Sequence, residues 1–507
     1  MNSYKSIVDG NQDIEEPLLL TQLPSEYPQD VTTQIEEVLR TNQNEIVVFL
    51  EDDSTGVQKS HDVYLLTDHS DKGIHSGLED ARKAGHRLVF ILTNSRALTS
   101  AQAEKLNQQI ATTLIEIAQK EKIIIRLGSR SDSTLRGHFP LEPLVLLQSL
   151  RDHGQHCDGI IVSHVFLTEM SRVTINKIHM IRFQKQDGSF WYRPVHKTKF
   201  ATDPRFGYPT SNMPEYVEFK SSTSRFGKIP AEDVLHIDIE SIRKGGPKEV
   251  KHQLLSAYNG QIITFDTLTA QDLQVFVLGL LQAEQNGKHF LYRTAASLPP
   301  IRVNMKDIPI LYHEQISTST RDSRVLCLWG SIVELSNIQL TTLVNQMPKV
   351  LTHPFDVQKI LHSKDEKEQI IRQAVRRVEE DLTPETQMVI YTVPRQEYPM
   401  EKLSEEARAM NQQTIAVALQ EVYNRCSVQP DVVIFKGGTT SSTGLFHSGA
   451  PRVYVLGQIA PGIPVVKIFP QDNMRFPGKE LLLVLGPGNV GTASTYVNIL
   501  KKLQGKE

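Results

Sequence analysis

Cysteine is scarce in this chain of 507 residues, and its scarcity limits the chemistry available. The three cysteines, Cys157, Cys327 and Cys426, lie far apart, and none belongs to a CxxC pair. A disulfide framework or a structural zinc site would need more cysteines at closer spacing. The composition therefore favours a reducing compartment, and we expect a cytoplasmic protein.

Long apolar runs and an excess of charge are lacking as well. No stretch approaches the roughly 18 uninterrupted apolar residues of a membrane-spanning helix, and the start of the chain lacks a signal-peptide pattern. The formal net charge is −3, so no basic field favours nucleic acid. With 39% apolar and 22% charged residues, the composition is that of a globular protein. We therefore expect neither a membrane nor a nucleic acid as partner.

Short apolar runs alternate with helix-like segments along most of the chain. Strands that are apolar throughout and separated by helices are typical of parallel sheets covered on both faces. Because 507 residues exceed one ordinary core, we predict an α/β fold with two α/β domains and mainly parallel sheets. The predicted domains are residues 45–300 and 320–507, preceded by an N-terminal appendage, residues 1–44, with one amphipathic helix. Residues 178–228 lack helical periodicity and predict a hairpin with a long inserted loop.

Acidic and arginine-rich segments follow two predicted strands of the first domain. The stretch EDDSTG places Glu51, Asp52 and Asp53 directly after the apolar run 46–50. Like charges repel, so this cluster needs a metal, a cation or a ligand to balance it. The alternative is a solvated turn in which Asp53 or Ser54 caps the next helix.

A second polar segment, SRSDSTLRGH, follows the predicted strand 122–127. Arginine offers forked donors for a carboxylate or phosphate, while hydroxyls and carboxylates pair with polyol hydroxyls. Together with the acids, the segment predicts a pocket for a small, hydroxylated, anionic molecule. Two alternatives stay open: Asp132 to Thr134 could form a turn that caps the next helix, and Arg136 could staple the loop to Glu142 or another acid.

The strand ends of the second half are rich in glycine, serine and threonine. Four segments share this composition: GSIVELS, KGGTTSSTG, GQIAPGIP and GPGNVGTAS. Glycine lets backbone N–H groups approach a phosphate, and helix N-termini add positive potential. The pattern predicts a nucleotide site, although no Walker A motif occurs. GPGNVG matches a dinucleotide fingerprint, but too few residues follow Gly491 for the required second strand, so NAD is not expected.

These motifs resemble, in order, those of the four-carbon acid sugar kinase family over about residues 45 to 500. The resemblance includes EDDSTG, SRSDSTLRGH, SRVTINKIH, TKFATDPRFGYPTSN, YRTAAS and the glycine-rich segments of the second half. It implies an ATP-dependent kinase for a sugar acid such as threonate, erythronate or 3-oxo-tetronate. The first domain would bind the acid, the second ATP with Mg²⁺, and the active site would lie in the inter-domain cleft. A homo-oligomer stays open, and the metal ligands are unknown.

The resemblance also suggests roles for individual residues. Asp53 would be the general base, with Asp52 orienting the hydroxyl or binding through metal. The predicted substrate-binding residues are Arg130, Asp132, Ser133, Thr134, Arg136 and Arg172, of which Arg136 and Arg172 would hold the carboxylate and Arg130 could reach the transferring phosphate. The predicted ATP-binding residues are Ser331, Gly437, Gly438, Thr439, Thr440, Ser441, Gly488, Asn489 and Gly491.

The chain departs from the family pattern at several positions of these motifs. Lys199 reverses a charge near the predicted acid site, where the family usually has Glu. An alternative function is therefore a catalytically silent sensor that binds a sugar acid or nucleotide with the same fold. The other departures are Glu51, Ser54, Ser171 and Thr443.

Overall fold

The chain divides into two compact units. The computed structural model describes residues 3–168, 171–316, 323–393 and 405–506. Unit 1 comprises Met1–Asp52 and Ile74–Lys306, and unit 2 comprises Asp53–Gly73 and Asp307–Glu507. The sequence did not predict that residues 53–73 belong with the second half. The predicted α/β class with two domains is confirmed.

Strands and helices alternate through both units. The strands are β1 (Ile14–Glu15), β2 (Glu45–Glu51), β3 (Val63–Leu66), β4 (Leu88–Leu92), β5 (Ile124–Arg130), β6 (Gly159–Ser163), β7 (Arg172–Ile175), β8 (Ile178–Gln184), β9 (Phe190–Pro194), β10 (Leu235–Ile237), β11 (Gln261–Phe265), β12 (Phe290–Thr294), β13 (Val325–Trp329), β14 (Val350–Asp356), β15 (Gln387–Val393), β16 (Val432–Lys436), β17 (Arg452–Ala460), β18 (Ile463–Ile468) and β19 (Leu481–Gly486). The helices are α1 (Ser3–Ile7), α2 (Glu16–Gln22), α3 (Thr32–Thr41), α4 (Asp71–Lys83), α5 (Ser100–Glu121), α6 (Leu141–Asp152), α7 (Met213–Ser221), α8 (Gly246–Leu255), α9 (Ala270–Gln285), α10 (Leu298–Arg302), α11 (His313–Ile316), α12 (Glu334–Gln346), α13 (Val357–His362), α14 (Lys364–Asp381), α15 (Glu405–Arg425), α16 (Gly438–Phe446) and α17 (Thr495–Leu503).

The main sheet of unit 1 is parallel, in the strand order β10-β11-β6-β12-β5-β2-β4. Strands β2, β4, β6 and β12 are buried along their whole length, and the apolar sequences of the first three predict this burial. In the register of β2 and β5, Glu51 lies opposite Arg130 at the carboxyl ends of the strands. The carboxyl edge of such a sheet is where ligands bind in open α/β folds.

The N-terminal segment is part of unit 1 and not an appendage. Strand β1 pairs with β9 in a small antiparallel sheet of order β1-β9-β8-β7. Tyr4, Val8 and Leu19 are buried in the same apolar cluster as residues of β7 and β8. The sequence did not predict this packing, because the apolar residues of the segment are widely spaced and contact residues some 170 positions later in the chain.

The segment 178–228 contains the predicted hairpin, formed by β8 and β9, but it also contains a helix. Helix α7 begins after Asn212, whose side chain accepts a hydrogen bond from the Glu215 N–H group. Its residues Met213, Tyr216 and Val217 are buried. The predicted long loop is therefore shorter than expected.

The sheet of unit 2 is mixed, in the order β3-β17-β18-β19-β16-β13-β15-β14. Strands β19, β16, β13, β15 and β14 are parallel, whereas β3, β17 and β18 run antiparallel to their neighbours. The segment GQIAPGIP belongs to the β17–β18 hairpin. It therefore lies in an antiparallel hairpin and not at the end of a parallel strand, as the sequence suggested. No helix in the described ranges is long and apolar enough to cross a membrane.

Candidate functional site

Arginines balance the acids at the end of β2. Glu51 pairs with Arg130 of β5 at 2.8 Å. Asp52 accepts hydrogen bonds from Arg96 Nε at 3.1 Å and Nη2 at 2.5 Å, and a further one from Ser131 Oγ. Both carboxylates are buried. The charge repulsion that the sequence left unexplained is thus relieved by cations of unit 1, and Asp52 is engaged in holding the strand ends together.

Asp53, the predicted base, occupies a turn in unit 2. Its Oδ1 accepts hydrogen bonds from the N–H group and the hydroxyl of Thr55, both at 2.9 Å. This is an Asx turn, which orients the carboxylate. The next residue, Ser54, accepts a hydrogen bond from Ser442 of α16 at 3.0 Å. The segment after Asp52 is therefore anchored to a helix of unit 2.

The loop after β5 brings together most of the predicted substrate-binding side chains. Asp132 Oδ2 accepts hydrogen bonds from Arg136 Nε at 2.8 Å and from the Thr134 hydroxyl. The Arg136 guanidinium lies 3.8 Å from Asp203 and 5.0 Å from the ring centroid of Phe200. Arg136 does not pair with Glu142, but it pairs with Asp132 of its own loop and lies near Asp203 of the segment 198–212, so the alternative of a staple to another acid stays open.

The charge state of Asp132 follows from its surroundings. Burial alone would raise the pKa of its carboxyl group, but the Arg136 and Arg96 guanidinium groups outweigh burial and hold this pKa well below its usual range. Arg172, on β7, lies 5.6 Å from the Phe166 ring, and burial lowers its pKa. The site thus combines one ionised carboxylate with several arginines.

Side chains from other elements hold the main-chain carbonyls of this loop. His164 Nδ1 donates to the Asp132 carbonyl at 3.1 Å and His179 Nε2 to the Ser133 carbonyl at 2.8 Å. The hydroxyls of Tyr208 and Tyr216 donate to the next two carbonyls. Four consecutive carbonyls, those of residues 132–135, are therefore tethered.

The tethered carbonyls determine where the loop's N–H groups point. In a trans peptide the N–H group of one residue is antiparallel to the carbonyl of the residue before it. The N–H groups of residues 133–136 therefore point away from the tethering side chains, and within the described ranges they donate to no protein acceptor. A row of such N–H groups attracts an anion.

A buried ion pair supports the loop from below. Arg293 of β12 is fully buried and donates to Glu142 at 2.6 Å and to Ser129 at 3.3 Å. Gly137 has a φ of +111°, and a Cβ atom there would lie 2.8 Å from Arg293 Nη2 and 3.2 Å from Asp52 Oδ2. A larger residue would clash here, so the SRSDSTLRGH segment needs glycine at this position for steric reasons.

A loop of similar construction follows β19 in unit 2. Lys436 Nζ donates to the carbonyls of Pro487 at 2.5 Å and Gly488 at 3.0 Å. From α12, Ser336 donates to the Gly488 carbonyl and Gln339 to the carbonyls of residues 490 and 492, all at 3.0 Å. The N–H groups of residues 488, 489 and 491 therefore point away from these side chains. In the part of the chain that the structure describes, they have no protein acceptor.

A cavity of about 290 Å³ in unit 2 adjoins this loop. One side of it is polar and includes the N-terminus of α16 and the hydroxyl-bearing residues after β13. The other side is apolar. The lining residues are Gly330, Ser331, Ile332, Val333, Val357, Leu361, Thr392, Gln412, Ile415, Ala416, Gly437, Gly438, Thr439, Thr440 and Gly488.

Six of the nine predicted ATP-binding residues line this cavity, and three do not. Ser441 is buried, and its hydroxyl donates to the Phe435 carbonyl at 3.3 Å. Gly491 has a φ of +91° and forms the turn before α17. Asn489 is exposed, outside the lining. The remaining six are Ser331, Gly437, Gly438, Thr439, Thr440 and Gly488.

The sequence did not single out the residues that hold the two loops. Arg96 lies in the segment TNSR after a predicted strand, and Arg293 lies in YRTAAS, so both carried a weak signal. Their partners are 44 and 151 residues away in the chain. Lys436 and His179 likewise lie in KGGTTSSTG and SRVTINKIH, whereas the sequence analysis gave no signal for Gln339 or His164.

The fold and the site define a two-domain α/β protein, and comparisons with known proteins identify its family. Residues 47–300 match the model of a sugar-binding N-terminal domain, and residues 326–496 match that of a nucleotide-binding C-terminal domain. Both domains are those of the four-carbon acid sugar kinase family, and the chain belongs to this family.

Two solved structures share the fold. A Salmonella typhimurium LT2 protein described as a candidate tRNA synthase aligns with a TM-score of 0.63 and 15% identity, over 89% of this chain and 98% of that one. A Haemophilus influenzae protein assigned to a domain of unknown function aligns with a TM-score of 0.58 and 15% identity, over 90% and 99%. Among the curated proteins, none matches this chain. At such identity, the likeness shows the fold alone.

Proposed function

We propose that the protein is an ATP-dependent kinase that phosphorylates a hydroxyl group of a small sugar acid. The expected substrates are four-carbon acids such as threonate, erythronate or 3-oxo-tetronate, and the expected compartment is the cytoplasm. The observation that carries the proposal is the pair of loops, one in each unit, whose carbonyls are tethered and whose N–H groups are left for an anion. A kinase that transfers a phosphoryl group from ATP to a hydroxyl of the acid, with release of ADP, needs one anion site for the acid and one for the nucleotide.

The unit 2 loop suits the phosphates of a nucleotide. The first N–H groups of α16 and those after β19 offer donors, and the helix N-terminus adds positive potential. Val357, Leu361 and Ile415 provide an apolar wall for a base. A slot with both properties fits ATP better than inorganic phosphate.

The unit 1 loop suits a hydroxylated carboxylate. Arg136 and Arg172 offer guanidinium groups for the carboxylate, and the N–H groups of residues 133–136 add further donors. The side chains of Asp132 and Ser133 can pair with sugar hydroxyls. Arg130 is already paired with Glu51, so we assign it a structural role and not contact with the transferring phosphate.

Phosphoryl transfer requires positioning and charge neutralisation more than covalent chemistry. We assign Asp53 the role of accepting the proton of the attacking hydroxyl and Asp52 that of fixing the strand end before it. Within the described residues, no group of three His, Cys, Asp or Glu side chains is arranged to hold a metal ion. Mg²⁺ would thus be held mainly by the nucleotide phosphates and water, and it would neutralise their charge.

A screen of four- and five-carbon sugar acids for coupled ADP release tests this function. Each acid is paired with its lactone or polyol of the same length, and no release is expected from the neutral compounds. Release of ADP from ATP in the presence of any of the nonphosphorylated acids supports the proposal. Binding of both ligands by calorimetry without turnover would instead support the sensor, and binding of neither would overturn both functions.

A further inference from the structure

Lys436 is a buried lysine that the proposed reaction does not use. It ends β16, its side chain is fully buried, and in the described ranges it forms no ion pair with a carboxylate. Its hydrogen-bond acceptors are the carbonyls of Pro487 and Gly488. The ring centroids of Trp329 and Tyr496 lie 6.0 and 4.9 Å away. An ammonium group in this setting lacks a counter-ion.

The titratable groups packed around Lys436 are neutral near physiological pH. Burial raises the pKa of Tyr496, on α17, above its usual range, and it raises the pKa of Cys327, on β13, to about 12. The side chains that α12 contributes to the loop, Ser336 and Gln339, carry no charge. Burial alone lowers the pKa of Lys436 to about 7.

An anion on the opposite face of the loop would change this balance. The peptides that accept from Lys436 with their carbonyls carry the N–H groups of residues 488 and 489 on their other side. A phosphate bound by those N–H groups would polarise the same peptides toward Nζ and add negative potential. Both effects favour the ammonium form.

We propose that Lys436 is the positioning residue of the phosphate-binding loop, and that nucleotide binding adds one proton from solvent to its Nζ atom. This inference rests on the proposed nucleotide site and extends it. The neutral amine leaves the loop weakly tethered in the free protein. The ammonium group then tightens the loop and places a positive charge behind the phosphates.

Calorimetry of ADP binding to the full chain tests the proposal. Titrations at pH 8 in two buffers with different ionisation enthalpies give the number of protons taken up. We expect up to about one proton per ADP, falling towards zero at pH 6, where the lysine is already charged. The affinity of the wild type should weaken up to about tenfold per pH unit above pH 7.

Two variants separate this role from a purely structural one. Lys436→Met keeps a buried aliphatic side chain but cannot bind a proton. This variant should bind ADP more weakly and show no proton uptake beyond that of ADP itself. Lys436→Arg stays charged, so it should restore affinity without uptake and without the pH dependence. If neither variant folds, the wild-type proton counts at pH 6 and pH 8 decide.

The outcomes are distinguishable. ADP binding with equal proton uptake in the wild type and Lys436→Met, or with no uptake in the wild type at pH 8, would overturn the assignment of Lys436 alone. Absence of ADP binding by the wild type would overturn the nucleotide site and, with it, the inference.

Discussion

Arg136 is the residue at which a binding role and a structural role differ most clearly in their consequences. It is paired with Asp132 at 2.8 Å, yet its side chain is still 28% exposed. If it holds the substrate carboxylate, Arg136→Met should lower kcat/KM for the acid by about 2–5 kcal/mol in transition-state free energy, because a charge is left unpaired. The loss for a neutral polyol of the same length should be small.

The matched control for this prediction is Arg182→Met. Arg182 is also ion-paired in unit 1, with Glu16 at 2.6 Å, but it lies on the antiparallel sheet. The substitution Arg182→Met should leave kcat/KM unchanged for both the acid and the polyol. Equal losses on the acid and the polyol in Arg136→Met, together with a lower melting temperature, would show that Arg136 only staples the loop.

Asp53→Asn tests the proposed base without disturbing its turn. The amide oxygen of asparagine can accept the same two hydrogen bonds from Thr55. Turnover should fall by roughly 10² to 10⁴ while ADP affinity stays nearly unchanged, since only proton acceptance is lost. Steady-state kinetics and calorimetry measure the two quantities.

A second Asx turn of unit 2 provides the control. Asp68 accepts a hydrogen bond from the Ser70 N–H group at 2.9 Å, and Asp68→Asn should have near-normal turnover. Near-normal turnover in Asp53→Asn as well would remove Asp53 from the mechanism.

At the scale of residues, the sequence predicted which polar side chains cluster after β5, but not the side chains that support them. Asp132, Thr134 and Arg136 fall within five positions of one another, so a short motif reveals their cluster. Arg293 and Glu142 meet across 151 residues, and such a pairing leaves no local pattern. A buried ion pair of this kind depends on the fold, because both charges must lose water together.

At the scale of elements, the loops after β5 and β19 are built in the same way. Side chains from other elements donate hydrogen bonds to the main-chain carbonyls of the loop, so the N–H groups of the loop point away from these side chains. In unit 1 two histidines and two tyrosines do this, and in unit 2 a lysine, a serine and a glutamine. Neither set could be predicted from a glycine-rich or hydroxyl-rich motif. The glycine-rich or hydroxyl-rich motif makes the loop flexible. Side chains of elements that are distant in the sequence determine which way the carbonyls and N–H groups of the loop point.

Gly438→Val tests the loop at the start of α16. A Cβ atom at this position meets no atom within 4 Å, so valine should fold without strain and project into the cavity. ADP affinity should fall at least about tenfold, because the side chain blocks the approach of a phosphate to the helix N-terminus. Calorimetry and melting temperature measure the two effects.

Two comparisons complete this test. Gly438→Ala, with one methyl group, should show a smaller loss of affinity, and binding of the sugar acid should be unchanged in both variants. If Gly438→Val binds ADP as the wild type does, the loop is only a turn.

Several strands were not predicted from apolar runs: β14 is only partly buried, whereas β3, β12 and β18 are mostly buried but short. Strand β14 contains His353 and Pro354 and is only partly buried, so it lacks the continuous apolar run that marked the other parallel strands. Strand β17 alternates buried and half-buried residues, as expected of an antiparallel strand, but its glycine at 457 suggested a loop. Apolar runs predicted several of the buried parallel strands, and they do not report on strands with one open face.

At the scale of the whole molecule, the two units show how much of the fold is non-local. The residues before β2 were predicted to be an appendage, yet they complete an antiparallel sheet with strands that begin at Arg172. Strand β3 lies between β2 and β4 in the chain but pairs with β17 in unit 2. The order of segments along the chain does not predict these partners, because each strand pairs with a strand that is distant in the sequence.

The stability of the protein should depend on pH through the buried histidines of unit 1. Burial lowers the pKa of His164 to about 3 and that of His179 to about 4, whereas an unfolded histidine titrates near 6.5. Between about pH 6.5 and pH 4 the unfolded state therefore binds more protons than the folded state. Stability falls as pH falls through this window, by up to about 1.4 kcal/mol per pH unit for each histidine.

Urea unfolding at pH 7, 6 and 5 measures this dependence, with His179→Gln as the variant that removes one titrating group. The glutamine amide can still donate to the Ser133 carbonyl, so the loop keeps its tether. The variant should lose less free energy of unfolding between pH 6 and pH 5 than the wild type, by up to about 1.4 kcal/mol. Identical slopes would mean that His179 is protonated to the same extent in the folded and unfolded chains, and that its ring does not hold the loop as a neutral donor.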